Sequence, residues 1–91
     1  MTALSSAAAT RLRNALNTWE QDGVAFTYHL SLQPGGQDQT FSEILDCLNE
    51  VAQGIDESYR TWWDLERELD RQKDYANQAA FIELALGQPV A

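Results

Sequence analysis

The sequence predicts a mainly α domain with one β element, an α+β fold: helix over 5–21, strand over 24–32, helix over 41–53 and a long helix over 57–86. Three patterns predict it. Apolar residues recur at three- and four-residue spacing through most of the chain, as on the buried stripe of a helix. One stretch instead alternates every second residue, the period of a strand with one buried face. Finally, no glycine or proline falls between Ile55 and Leu86. Nothing local therefore stops a helix of about 30 residues, or about 45 Å at 1.5 Å per residue.

The first helix starts at Ser5 or Ser6, either a suitable N-cap. Ala8, Leu12, Ala15, Leu16 and Trp19 share one stripe, and Arg11, Arg13, Asn14, Thr18 and Glu20 face outward. Gly23 is placed to end the helix in the left-handed conformation. The strand comes next. Val24, Phe26, Tyr28, Leu30 and Leu32 are large and apolar, with Ala25, Thr27, His29 and Ser31 between them. A lone strand leaves backbone groups unpaired, and three arrangements would pair or solvate them. The strand could fold back on residues 37–41 through the "PGG" turn, lie extended on the helices, or pair with its own copy across a two-fold axis. An isolated edge with one apolar face favours the last, with Phe26, Tyr28 and Leu30 as dimerisation residues.

Gln33–Gln39, "QPGGQDQ", reads as a turn. Thr40 and Glu43 make a capping box that opens the next helix. Its stripe is Phe41, Ile44, Leu45, Leu48, Val51, Ala52 and Ile55, ending at Gly54. Asp56 is placed as N-cap of the long helix, which has two apolar zones. Tyr59, Trp62, Trp63 and Leu65 form the first, and Tyr75 through Leu86 the second. Between them lies a charged waist, "ERELDRQKD", with oppositely charged i,i+3 pairs Asp64–Arg67, Glu68–Arg71 and Asp70–Lys73. A helix this long exceeds the usual length, which leaves room for a break near Asp74 or Tyr75. Gly87 and Pro89 end it, and residues 87–91 read as a flexible tail on a single domain spanning 1–91.

Composition narrows the function. The 91 residues are 44% hydrophobic, a folding composition. Acidic residues outnumber basic ones 14 to 6, for a formal charge of −8. Phosphate repels such a surface, so neither nucleic acid nor an anionic membrane is expected as a partner. The single cysteine, Cys47, excludes an intramolecular disulfide and suits a reducing compartment. No apolar run approaches the roughly 20 residues of a membrane span and no leader pattern is visible, so a cytoplasmic location is expected.

No residue set points to catalysis. His29, the one histidine, has no inferable orienting carboxylate and reads as a surface or interface residue. Cys47 has acidic neighbours, the opposite of what a nucleophilic thiol needs. Glu43, Asp46, Cys47 and Glu50 share one side of a helix, but helical metal sites draw carboxylates and histidine from two helices. "QPGGQ" lacks the Lys and Ser/Thr of a phosphate-binding loop. No enzyme activity, cofactor or metal is therefore expected.

The tryptophan pair carries the binding expectation. Adjacent residues on a helix point about 100° apart, so Trp62 and Trp63 cannot easily share one small core. Either Trp62 is core while Trp63 packs at the flank or stacks on Arg67, or Tyr59, Arg60, Trp62 and Trp63 form a partner-binding patch of the residue types that dominate interface hot spots. The leading expectation is a small acidic, non-enzymatic protein-binding module: an adaptor, regulator or secretion-chaperone-like protein. It would act as a homodimer through an apolar strand edge and this aromatic patch. The alternative is an acidic inhibitor that occludes a basic site on a nuclease or nucleic-acid-binding protein, using the carboxylates of Asp56–Asp74. Arg60, Arg67, Arg71 and Lys73 interrupt that acidic run.

Overall fold

A computed structural model of the chain describes residues 4–19, 25–32 and 39–87. These form helices α1 (Ser6–Trp19), α2 (Phe26–Ser31), α3 (Gln39–Ile55), α4 (Trp62–Gln72) and α5 (Tyr75–Leu86). The fold is all-helical: among the described residues there is no strand. The expected Gly23 helix end, residue 24 of the expected strand, the turn at 33–38 and residues 88–91 of the expected tail lie outside the described residues.

The apolar stripe of α1 is buried as its spacing predicts, and that of α3 is buried except at Leu45, which is half-buried, and Ile55, which is exposed. Ala8, Leu12, Ala15, Leu16 and Trp19 of α1 are buried, as are Phe41, Ile44, Cys47, Leu48, Val51 and Ala52 of α3. Side chains along α3 tie α1, α5 and the start of α4 to it in succession. Glu43 accepts hydrogen bonds from the Ser5 backbone N–H (2.6 Å) and hydroxyl (3.1 Å) at the start of α1. Cys47 Sγ donates to the Ala85 carbonyl of α5 at 3.8 Å. Asn49 Oδ1 accepts from the Trp62 N–H at the start of α4 (2.8 Å), and Gln53 Nε2 donates to the Arg60 carbonyl (2.9 Å). Glu43 thus serves the start of α1, whereas the sequence has it reaching back to Thr40, which lies inside α3. Antiparallel packing of α5 on α1 follows from two contacts: Arg13 meets Glu83 at 3.8 Å, and Trp19 meets Tyr75 edge-on.

The strand expected over 24–32 is overturned. Residues 26–31 form α2, which buries Phe26, His29 and Leu30 and leaves Tyr28 54% exposed. A six-residue helix is too short to be stable alone, so its packing must hold it. The Phe26 ring sits perpendicular to both Trp19 and Trp62, with centroids 6.3 and 6.4 Å away. The first turn has no cap of its own, because Ala25 offers no side-chain acceptor. Glu66 of α4 supplies one: its carboxylate accepts from the Thr27 N–H (3.3 Å) and the Thr27 hydroxyl (2.9 Å). A negative charge at that end also suits the helix dipole. Helix pairs part of the segment's backbone internally and leaves the first turn to Glu66, whereas an unpaired strand pairs none of it. The strand-edge dimerisation assigned to Phe26, Tyr28 and Leu30 goes with it, since Phe26 and Leu30 are fully buried in the chain's own core.

The continuous helix expected over 57–86 is also overturned, by two breaks. At the first, Asp56 closes a turn by accepting the Ser58 N–H on Oδ1 (2.8 Å) and the Tyr59 N–H on its carbonyl (3.0 Å). Thr61, not Asp56, is then the N-cap. It forms a capping box with Asp64, each side chain accepting the other's backbone N–H. The second break is at Lys73, with φ 55° and ψ 35°, the left-handed region that a non-glycine residue enters at a cost of roughly 1–2 kcal/mol. The Asp74 N–H bonds to the Leu69 carbonyl at 2.9 Å, and the Asp74 side chain accepts the Asn77 N–H to start α5. That is where the charged waist left room for an interruption.

Candidate functional site

The surface of α4 is set by how its first turn is anchored. Trp62 is fully buried. Its backbone N–H is held by Asn49, and its indole Nε1 donates to Glu66 Oε2 at 3.0 Å. With Trp62 fixed inward, the next residue must point away, and Trp63 is 44% exposed. One and two turns further along the same stripe lie Arg67 and Arg71, both exposed. Beside this stripe, the 57–61 turn and α4 enclose an open groove of about 370 Å³ lined by Ser58, Tyr59, Asp64, Arg67, Glu68 and Arg71.

Charges within the groove are partly committed. Arg71 Nε donates to Glu68 Oε2 at 3.1 Å and its Nη2 pairs with Oε1, which also accepts from Gln72. Those bonds hold the Glu68 carboxyl below its ordinary range. Asp64 is occupied by the N–H groups of Arg60 and Thr61. Of the three i,i+3 pairs in the sequence, Glu68–Arg71 forms, and Asp64 is drawn instead into the cap.

Behind the groove, Glu66 is a buried carboxylate shared by Thr27 and Trp62. Burial pushes its pKa up, opposed by the hydrogen bonds from Thr27 and Trp62. Cys47 is likewise buried, and loss of solvent followed by the charges of Glu50 and Glu43 raises its thiol to about 11. Such a thiol is neutral at physiological pH and a poor nucleophile. Glu43 is turned to Ser5 and Cys47 to Ala85, so two members of the acidic cluster on α3 serve different neighbours.

The proposed partner-binding residues divide. Tyr59 is half-buried and lines the groove, Arg60 is exposed beside it, and Trp63 is exposed on the stripe. Trp62 belongs to the core. His29, placed on the surface by the strand reading, is buried in α2 beside Tyr28. Sequence reasoning missed Ser58, Asp64, Arg67, Glu68 and Arg71 as lining residues. The signal was present: "TWWD" at Thr61–Asp64 has capping-box spacing, and it fixes which face of α4 looks outward.

Many carboxylates offered for charge mimicry have local work. Asp56 holds the Ser58 turn, Asp64 and Asp74 cap helices, Glu66 is buried and Glu68 pairs with Arg71. Among the described residues, no helix is long and apolar enough to cross a membrane. No family model matches the chain, and comparison with curated proteins and with solved structures gives no significant match.

Proposed function

We propose that this chain is a non-enzymatic protein-binding module, an adaptor or regulator, that engages its partner through the Trp63–Arg67–Arg71 stripe and the adjoining groove. One observation carries the reading. Trp63 is held outward by the burial of Trp62 while Arg67 and Arg71 extend the same face. Trp, Tyr and Arg are the residues that most often dominate binding energy, and Tyr59 adds the third type at the groove wall. Half of the six basic residues in a chain of charge −8, Arg60, Arg67 and Arg71, gather here. The mimicry reading is disfavoured, because most of the carboxylates it needs are tied to caps, turns, an ion pair or the core.

Affinity capture from an extract of the source organism, comparing the wild type with Trp63→Ala and Arg67→Ala, tests the reading. Both variants should lose most of the captured protein while melting within about 2 °C of the wild type, as expected for exposed positions. If Trp63→Ala melts many degrees lower and still captures the partner, Trp63 is a packing residue and the patch is wrong. Capture that collapses steeply with added salt would turn the reading toward charge mimicry.

A further inference from the structure

The bend between α4 and α5 rests on a residue poorly suited to it. Lys73 adopts φ 55° without being glycine, and no proline follows to stop the helix. Apart from the Asp74 cap, the residues from Trp62 to Leu86 suit one unbroken helix, and α5 is held at the bend by its docking on α1, α3 and α4. That docking has an internal flaw. Gln78 is fully buried, and among the described residues neither its amide oxygen nor its amide nitrogen has a hydrogen-bond partner. Such groups are costly to bury and are hydrated as soon as the helix lifts away.

We propose that α5 is an exchangeable element: Lys73 relaxes to the right-handed helical conformation, α4 and α5 join into one helix, and α5 docks in the same position on a second copy of this chain. The occupant is a second copy because the vacated site is complementary to α5 itself. Ile82 and Ala85 fill it, Cys47 meets the Ala85 carbonyl and Arg13 faces Glu83. An undocked α5 would add Ile82 and Ala85 to a surface where Tyr75 and Leu84 are already exposed. The open form is therefore driven to find an identical site. Exchange keeps every docking contact and relieves two strained hinges per dimer, the usual origin of swapped dimers. Opening is eased by hydration of Gln78.

Light scattering on size-fractionated protein, from micromolar to millimolar chain, tests this with wild type, Lys73→Gly and Asp74→Ala. Wild type should pass from monomer to dimer as concentration rises. Glycine is at ease in the left-handed bend and poor inside a helix, so Lys73→Gly should weaken dimerisation by roughly tenfold or more for each hinge. Asp74→Ala removes the α5 cap and should strengthen dimerisation several-fold. Dimers formed through another surface would be indifferent to both changes. The proposal is overturned if wild type and Asp74→Ala stay monomeric at millimolar concentration, or if Lys73→Gly dimerises as tightly as wild type. Should Asp74→Ala fail to fold, the comparison of Lys73→Gly with wild type decides it alone.

Discussion

Glu66 shows how a single residue can join two elements at a cost that depends on pH. Its carboxylate gives α2 an N-terminal acceptor and satisfies the Trp62 indole, yet burial raises its pKa above the ordinary 4.5. Because the folded value is the higher one, the stability due to the protonated form is complete below the unfolded value. It is lost as pH rises through the folded value. Glu66→Gln keeps an acceptor for both N–H groups and can donate to the Thr27 hydroxyl, without the buried charge. The urea midpoint of Glu66→Gln should therefore gain on that of wild type as pH rises from 4.5 toward neutral. A gap that is flat over that range would mean the carboxylate is not penalised by burial. Glu66→Ala should instead lose about 1–3 kcal/mol, since it strands the buried Trp62 and Thr27 donors. None of this was legible from the sequence. Glu66 sits in a run of charges that reads as a solvated face, and only the arrival of Thr27 from α2 makes it a core residue.

At the scale of the element, α1 and α3 were legible because each carries one long stripe with few violations. The expected bounds of 5–21 and 41–53 compare with Ser6–Trp19 and Gln39–Ile55. The α2 segment misled for a definite reason. Phe26 and Leu30 are four apart, a spacing common to every second residue of a strand and to one turn of a helix. The discriminating positions are Tyr28, which a strand would bury, and His29, which it would expose. The structure does the reverse. Phe26→Ala should accordingly cost about 3–5 kcal/mol, whereas Tyr28→Ala should stay within about 0.5 kcal/mol of wild type. Equal losses at the two positions in chemical denaturation would restore the strand. The break before α4 escaped notice, and the one after it was left open near Asp74 or Tyr75 on length alone, because neither uses glycine or proline. They are made by side-chain chemistry: an Asp56–Ser58 turn, the Thr61–Asp64 box and the Asp74 cap. Of the candidate site, the divergence of Trp62 and Trp63 was legible from the 100° offset; which of the two faces inward was not, and Trp62, assigned to the partner patch, is core. The groove was not, because it needs the turn that the continuous helix erased.

Across the whole molecule, the elements meet in one core cluster that draws on all five helices. Tyr75 of α5 meets Trp19 of α1, Trp19 meets Phe26 of α2, and Phe26 meets Trp62 of α4, each pair edge to face. Four helices thus share a single run of rings, with ring centroids 6.2, 6.3 and 6.4 Å apart. Displacing any one of those helices disturbs the surroundings of an indole. Thermal melts followed by tryptophan emission, by near-ultraviolet dichroism and by far-ultraviolet dichroism should consequently superimpose, as in an all-or-none transition. An aromatic signal that fades well before the helical one would instead mean that the rings loosen while the helices persist. The protein carries its own optical gauge of assembly, written in native chromophores and requiring no added dye.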